Sequence, residues 1–291
     1  KKKVYQILGY DEQFIHIGGI RKYRLLIFDF ESGNPIIDIV VNDKKSETIK
    51  NVFLDSKIDL TIPTVIVTDL DRAYPQILDE LFGDNLLHQP CLFHLQKIIL
   101  KSYSKNCSIN EELLKYQLLN IFYDHSQEIE WLTQWVEEET IIQNHCSKAE
   151  YRKWLKTKKE EFYQFCKKLK STKNQHKIRT YEEIMDNMLN LLSIIEEFPL
   201  EVQKRLKMID RLFLKLTNFC DSELIPKTNN IVENYFFRTI NMDWKKRMKT
   251  DAGFLNHLKL QSIRISGVLN EVKMTIIDVF CAIRVFCNYY G

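Results

Sequence analysis

The hydrophobic period of the stretch up to residue 90 switches from two to helical and back, which restricts the fold more than any other feature of the chain. "VYQILGYDEQFIHIGG" alternates apolar and polar residues and turns at Gly18-Gly19. "KYRLLIFDF", a turn at Ser32-Gly33-Asn34-Pro35, and "IIDIVV" follow. Alternation at period two punctuated by glycine turns predicts a three-stranded antiparallel meander. "KKSETIKNVFLDSKI" then has helical spacing, and "TVIVTD" after Pro63 is a short β-branched run of the kind found in fully buried strands. "DRAYPQILDELFG" reads as a helix with Pro75 in its first turn, closed by Gly83. In such an order the fourth strand joins through a crossover and is expected to lie parallel to the first.

Beyond "NLLHQP" the pattern changes for good. A helix is expected from near Cys91 through "LFHLQKIILKSY", and no convincing strand follows as far as Phe219. Ser147-Lys-Ala-Glu150 and Thr180-Tyr-Glu-Glu183 have the spacing of capping boxes, in which hydroxyl and carboxylate satisfy each other's backbone N–H groups. A further helix is expected over 229–242, and it needs a sheet to pack on. The all-helical block therefore reads as an insertion.

Composition narrows the class. With 291 residues, 45% of them hydrophobic, the chain can bury a large core. The longest apolar run, "MTIIDVFCAIRVFCNYY" at 274–290, is broken by Asp278 and Arg284 and reads as a buried amphipathic helix, being short for a bilayer span. Seven cysteines without small-domain spacing point to a reducing compartment, cytoplasm or nucleoid. The opening "KKKVYQILGYDEQF" lacks the apolar core of a signal peptide. Net charge is only +3, yet 147–179 holds 12 Lys/Arg against 3 Asp/Glu. Such a face is either simply solvated or turned towards phosphate. Trp154, Leu155, Phe162, Phe165 and Leu169 in that stretch fall at helical spacing and are expected in a core, not as base-stacking platforms.

Three acids stand out against this framework: Asp11 in the first strand, Asp69 at the end of the fourth, and Glu233 on the helix after the insertion. Taken singly, each has an ordinary explanation as a turn, cap or first-turn residue. Together they would make an all-oxygen site of the kind Mg²⁺ or Mn²⁺ prefers. Such a site suits phosphodiester chemistry with two ions roughly 3.5–4 Å apart. Asp71 competes with Asp69 but reads as the N-cap of "RAYPQIL"; in a regular strand Glu12 points to the opposite face from Asp11, which leaves one of the two facing the site. Asp29 reads as a turn or supporting residue. Cys91 and His94 form C-x-x-H, half of a zinc site in isolation, without a second half at the usual spacing.

The ordered set "GYDEQFIHIGG", "VIVTDLDRAYPQIL", "CLFH" and "TNNIVENYFFRTI" resembles DDE transposases with a ribonuclease-H-like catalytic domain, closest to the mutator-like group and its insertion-sequence relatives. The resemblance implies an α/β, ribonuclease-H-like mixed sheet with a large all-α insertion before the last catalytic helix. By position, it implies core over 1–105, insertion over 106–225 and C-terminal core helices over 226–291. It makes Asp11, Asp69 and Glu233 the metal-binding catalytic acids, with two Mg²⁺ (or Mn²⁺) ions. Cys91, His94, Arg238, Lys245, Arg247 and Lys249 become possible contacts to the active site or to DNA. The implied reactions are strand cleavage at transposon ends and 3′-hydroxyl transfer into target DNA, by a homodimer or larger assembly on double-stranded DNA. End-sequence recognition would then belong to a segment before residue 1. The alternatives are a nuclease or resolvase on the same fold, or a repurposed DNA-binding derivative.

Overall fold

The computed structural model describes residues 6–103, 107–171, 176–240 and 249–265. It divides the chain into two compact units, one made of 1–91 with 225–291 and the other of 92–224. The first contains a five-stranded mixed sheet: β1 (Gln6–Ile17), β2 (Ile20–Asp29), β3 (Asn34–Val41), β4 (Thr64–Thr68) and β5 (Leu86–Pro90). Their order across the sheet is β3-β2-β1-β4-β5. The meander β1–β2–β3 is antiparallel, while β4 pairs parallel to both β1 and β5. Gly18 and Gly19, both at positive φ, make the first hairpin turn.

The strand β5 is absent from the sequence expectation because "LLHQP" has no apolar run to announce it. Its buried polar residues are accommodated instead of excluded, as where the His88 ring meets the Thr68 hydroxyl at 2.8 Å.

One sheet face packs against α1 (Ser46–Asp55) and α2 (Tyr74–Phe82). Leu8, Tyr10, Leu25, Ile27 and Ile66 meet Ile49, Val52, Phe53, Tyr74, Ile77 and Leu78 there, all within 3% of full burial. The other face receives α9 (Asn230–Thr239), where Leu26 and Phe28 pack on Val232, Tyr235 and Phe236. Further along, Ile15 and Ile17 pack with Ile240 and with Phe254 and Leu258 of α10 (Asp251–Ile265). Parity along β1 decides which residue goes where: Tyr10 and Glu12 share the α1/α2 face, and Gly9 and Asp11 share the α9 face.

The helix expected over 229–242 ends at Thr239 among the described residues. Asp71 is not the N-cap of α2. That place belongs to Ala73, and the Asp71 carboxylate accepts from the Ala73 N–H at 3.0 Å and binds Lys44 at 2.9 Å. Asp29 is a turn residue, its carboxylate accepting from the N–H groups of Glu31 and Ser32. The apolar run 274–290 lies outside the described residues. Among the described residues no helix is long and apolar enough to cross a membrane.

The second unit is helical: α3 (Leu92–Lys101), α4 (Ile109–Leu119), α5 (Ser126–His145), α6 (Lys148–Ser171), α7 (Tyr181–Ser193) and α8 (Leu200–Leu216). The boxes at Thr180/Glu183 and Ser147/Glu150 both form, and Ser108/Glu111 adds another. Leu155 and Phe162 of α6 are buried against Ile109 and Leu132, with Trp154 and Phe165 packed around them, so these aromatics are core residues as expected. The opposite face of α6 exposes Arg152, Lys153, Lys156, Lys167, Lys168 and Lys170.

Candidate functional site

Strand register brings the first two acids together. In the parallel pair β1/β4 the last partners are Gly9 and Val67. Two residues further along each chain lie Asp11, midway along the longer β1, and Asp69, just past the end of β4, so the two stand level on neighbouring strands. Carboxyl ends of strands in an open α/β sheet are where such folds bind ligands. Asp69 sits just beyond Thr68, the last residue of β4. Its Oδ1 accepts from the Asp71 N–H at 2.9 Å, which fixes the carboxylate as the chain turns. Asp11 Oδ1 accepts from the Glu12 N–H at 2.8 Å.

Glu233 lies in the first turn of α9, near enough for its charge to act on the Asp11 carboxyl. That helix approaches β1 closely because residue 9 is glycine. A β-carbon there would stand 2.6 Å from Asn229 Oδ1, 2.6 Å from Val232 Cγ2 and 2.7 Å from Phe30 Cε2. A strand-interior glycine commonly marks such an approach, and this was the sequence signal available for it. Asn229, fully buried, fastens the helix start. Its side-chain amide donates to the Tyr10 carbonyl at 2.9 Å, and its backbone N–H donates to Cys91 Sγ at 3.2 Å. The polar "TNN" before Glu233 is thus a clip between α9, β1 and the end of β5.

A second fastening holds the far end of α9. Arg24, fully buried in β2, forks onto Asp38 of β3 at 2.6 and 2.5 Å and reaches Thr239 Oγ1 at 2.8 Å. Its guanidinium lies over the Phe236 ring, and the Tyr235 hydroxyl donates to Asp38 at 3.2 Å. Nothing local in the sequence marks this pair, because it depends on cross-strand register.

The electrostatics are those of carboxylates crowded at the edge of a core. Burial pushes the Asp11 carboxyl up to about 8; the Glu12 N–H offsets this, while the like charges of Asp69, Glu233 and Glu12 add to it. Burial also raises Asp69, helped by the charge of Asp71 and opposed by the Asp71 N–H and Lys44. Lys44 itself bonds Glu12 at 3.3 Å and Asp71 at 2.9 Å. Asp11 is thus the acid on which both others act; the ligand atoms of the three do not close into a metal-binding cluster among the described residues, although each offers an oxygen donor of the kind a hard divalent cation takes.

The remaining candidates scatter. Cys91 is buried and engaged by Asn229, and His94 belongs to α3 in the helical unit. Neither joins a cluster of three or more metal-ligating side chains among the described residues. Arg238 and Lys249 are exposed, the former in the last turn of α9. Lys245 and Arg247 lie outside the described residues.

No model of a known protein family matches the chain. It is 27% identical over 255 residues, 87% of its length, to a Methanobrevibacter smithii protein named "Insertion element ISM1 uncharacterized 48.3 kDa protein". The chain spans about half, 51%, of that relative.

Proposed function

We propose that this chain is the catalytic part of an insertion-element transposase of the DDE type, on a ribonuclease-H-like fold. The observation that carries the reading is that Asp11 feels the charges of both Asp69 and Glu233, where β1 runs beside the end of β4. The strand order β3-β2-β1-β4-β5, with an antiparallel meander continued by parallel strands, supports the fold. Similarity to an insertion-element protein supports the role.

Asp11, Asp69 and Glu233 would hold two Mg²⁺ or Mn²⁺ ions, and the donor set fits in kind, since an Asp11 carboxyl raised by burial and by the charges of Asp69 and Glu233 is relieved by a hard cation. When bound, such a pair supplies Lewis-acid stabilisation of charge on the attacking and leaving oxygens. The residues of the chain supply position. The Glu12 and Asp71 N–H groups orient the two aspartates, and the Asn229 and Arg24 fastenings hold the helix that carries Glu233. Pre-set ligands are worth having because a small displacement of a reacting group is costly in rate. In the first reaction water attacks a phosphodiester at the transposon end, the P–O bond to the 3′-oxygen breaks, and a 3′-hydroxyl is freed. In the second that hydroxyl forms a new P–O bond in target DNA and displaces the target's own 3′-oxygen. Double-stranded DNA is the partner, met through phosphate by exposed cations such as Arg238, Lys249 and those of α6.

The test is an assay on labelled transposon-end DNA with Mg²⁺ and a target plasmid. Wild-type protein is expected to nick and join the ends, and Asp69→Asn to bind DNA without nicking it. Nicking by Asp69→Asn at the wild-type rate would remove the assignment, and nicking without joining would make the protein a nuclease of the same chemistry.

A further inference from the structure

In the helical unit, well away in sequence from the acids above, two imidazoles and a carboxylate meet. His125 immediately precedes α5 and Glu128 lies in its first turn. His176 comes from the segment entering α7, which crosses the α4–α5 connection as a short antiparallel bridge between Tyr123 and Ile178. The crossing is tied by Asp124 N–H to the Lys177 carbonyl at 2.9 Å and by Arg179 N–H to the Phe122 carbonyl at 3.1 Å. At that point Glu128 Oε1 lies 3.3 Å from His125 Nδ1 and 3.2 Å from His176 Nε2. The centroids of the two rings are 3.9 Å apart, and a ligand atom from each of the three residues falls within 4.8 Å of the others.

Hydrogen-bond chemistry shows what this arrangement lacks. His176 Nδ1 stands 2.9 Å from the Asp124 carbonyl oxygen, which can only accept, so Nδ1 carries the proton. Its Nε2 then faces the Glu128 oxygen at 3.2 Å, a pair of acceptors unless a proton or a metal ion lies between them. His125 is buried and its Nε2 has no hydrogen-bond partner; Glu128 is buried as well. The buried carboxylate and the nitrogens facing it call for a positive centre among the three groups, which a proton or a metal ion can supply. An imidazole that gives its other N–H to a backbone carbonyl is the usual arrangement of a metal-ligating histidine.

We propose that His125, Glu128 and His176 bind a transition-metal dication, zinc fitting best, which clips the start of α5 to the segment entering α7. Two imidazole nitrogens and one carboxylate oxygen are a zinc ligand set and a poor match for Mg²⁺, which takes oxygen. The site is independent of the transposase reading, since it shares no residue with Asp11, Asp69 and Glu233 and draws two of its three donors from imidazole nitrogen.

The experiment strips the purified chain with a chelator and titrates it with Zn²⁺ in excess Mg²⁺, by calorimetry, in wild type, Asp69→Asn and His176→Gln. Wild type and Asp69→Asn are expected to bind zinc stoichiometrically and alike, and His176→Gln to bind it roughly a hundredfold more weakly. Cobalt supplies a readout that needs no variant: Co²⁺-loaded wild type should show tetrahedral ligand-field bands without a thiolate charge-transfer band. Absence of zinc binding by wild type, unchanged affinity in a folded His176→Gln, or a thiolate band from cobalt would each overturn the site.

Discussion

Gly9 faces Val232 so closely that a β-carbon at residue 9 would lie 2.6 Å from the valine Cγ2. The glycine is needed for space, since its φ is not among the positive ones. Its neighbours in that direction, Val232 and Asn229, belong to α9 and its clip, so an added methyl must push the helix that carries Glu233. Gly9→Ala is expected to cost about 1–3 kcal/mol in chemical denaturation, as overpacking does. It should lower Mg²⁺-dependent cleavage far more than stability alone explains. Wild-type cleavage by folded Gly9→Ala would mean that the approach of α9 does not position Glu233.

Arg24 and Asp38 make a second prediction at the other end of α9. Arg24→Met leaves the nearly buried Asp38 carboxylate without its fork, and should cost about 3–5 kcal/mol, the usual penalty for halving a buried pair. Arg24→Met combined with Asp38→Leu removes both charges and should recover most of that loss. A double variant no more stable than the single would show that the Thr239 and Tyr235 contacts, not the charge pair, hold the helix. Equilibrium unfolding of the three proteins decides.

The acids of β1 and of the turn after β4 predict an unusual pH dependence. Asp11 has an ordinary value of 3.8 when unfolded and about 8 in the fold, with burial the main cause. A carboxyl raised by folding favours the folded state only while protonated, so stability present at low pH is lost as pH rises from about 4 to about 8. Asp69, raised for the same main reason, acts in the same direction. Thermal melts in chelator should fall across that window, by an amount on the order of a few kcal/mol. Mg²⁺ should restore stability at the alkaline end, where the carboxylates are charged and can bind it. Asp11→Asn should flatten the curve and remove most of the response to Mg²⁺. Melts that are flat in the wild type would place Asp11 in a wetter setting.

How far the sequence led differs residue by residue. The period-two alternation through Tyr10, Asp11 and Glu12 was enough to assign Asp11 and Glu12 to opposite faces, because parity in a strand is local. The parallel placement of β4 followed from the crossover, which any chain of that order must make. What escaped was non-local. Arg24 meets Asp38 only through the β2/β3 register, and His176 reaches Glu128 only through a crossing of two connections, Tyr123 opposite Ile178. The strand β5 escaped for another reason: His88 and Gln89 are polar residues buried by their neighbours, so its sequence lacks the pattern by which buried strands are found.

Asp69 and Asp71 allow the sharpest separation of scaffold from chemistry, since they sit two residues apart on one turn. The Asp69 carboxylate accepts a single backbone hydrogen bond, from Asp71, and acts electrostatically on Asp11. The Asp71 carboxylate, about a third exposed, is already occupied by Lys44 and the Ala73 N–H. Those bonds hold it below the ordinary carboxylate value, although burial opposes them. Losing a partly exposed pair of this kind costs about 0–1 kcal/mol. Asp71→Asn is therefore expected to cleave end DNA within roughly fivefold of wild type, the rate equivalent of that energy. Asp69→Asn should leave no measurable cleavage and unchanged DNA binding. Single-turnover cleavage at saturating Mg²⁺ compares them directly. If Asp71→Asn is the inactive protein and Asp69→Asn the active one, the second metal-binding acid is Asp71, and Lys44 becomes the cation that a metal must displace.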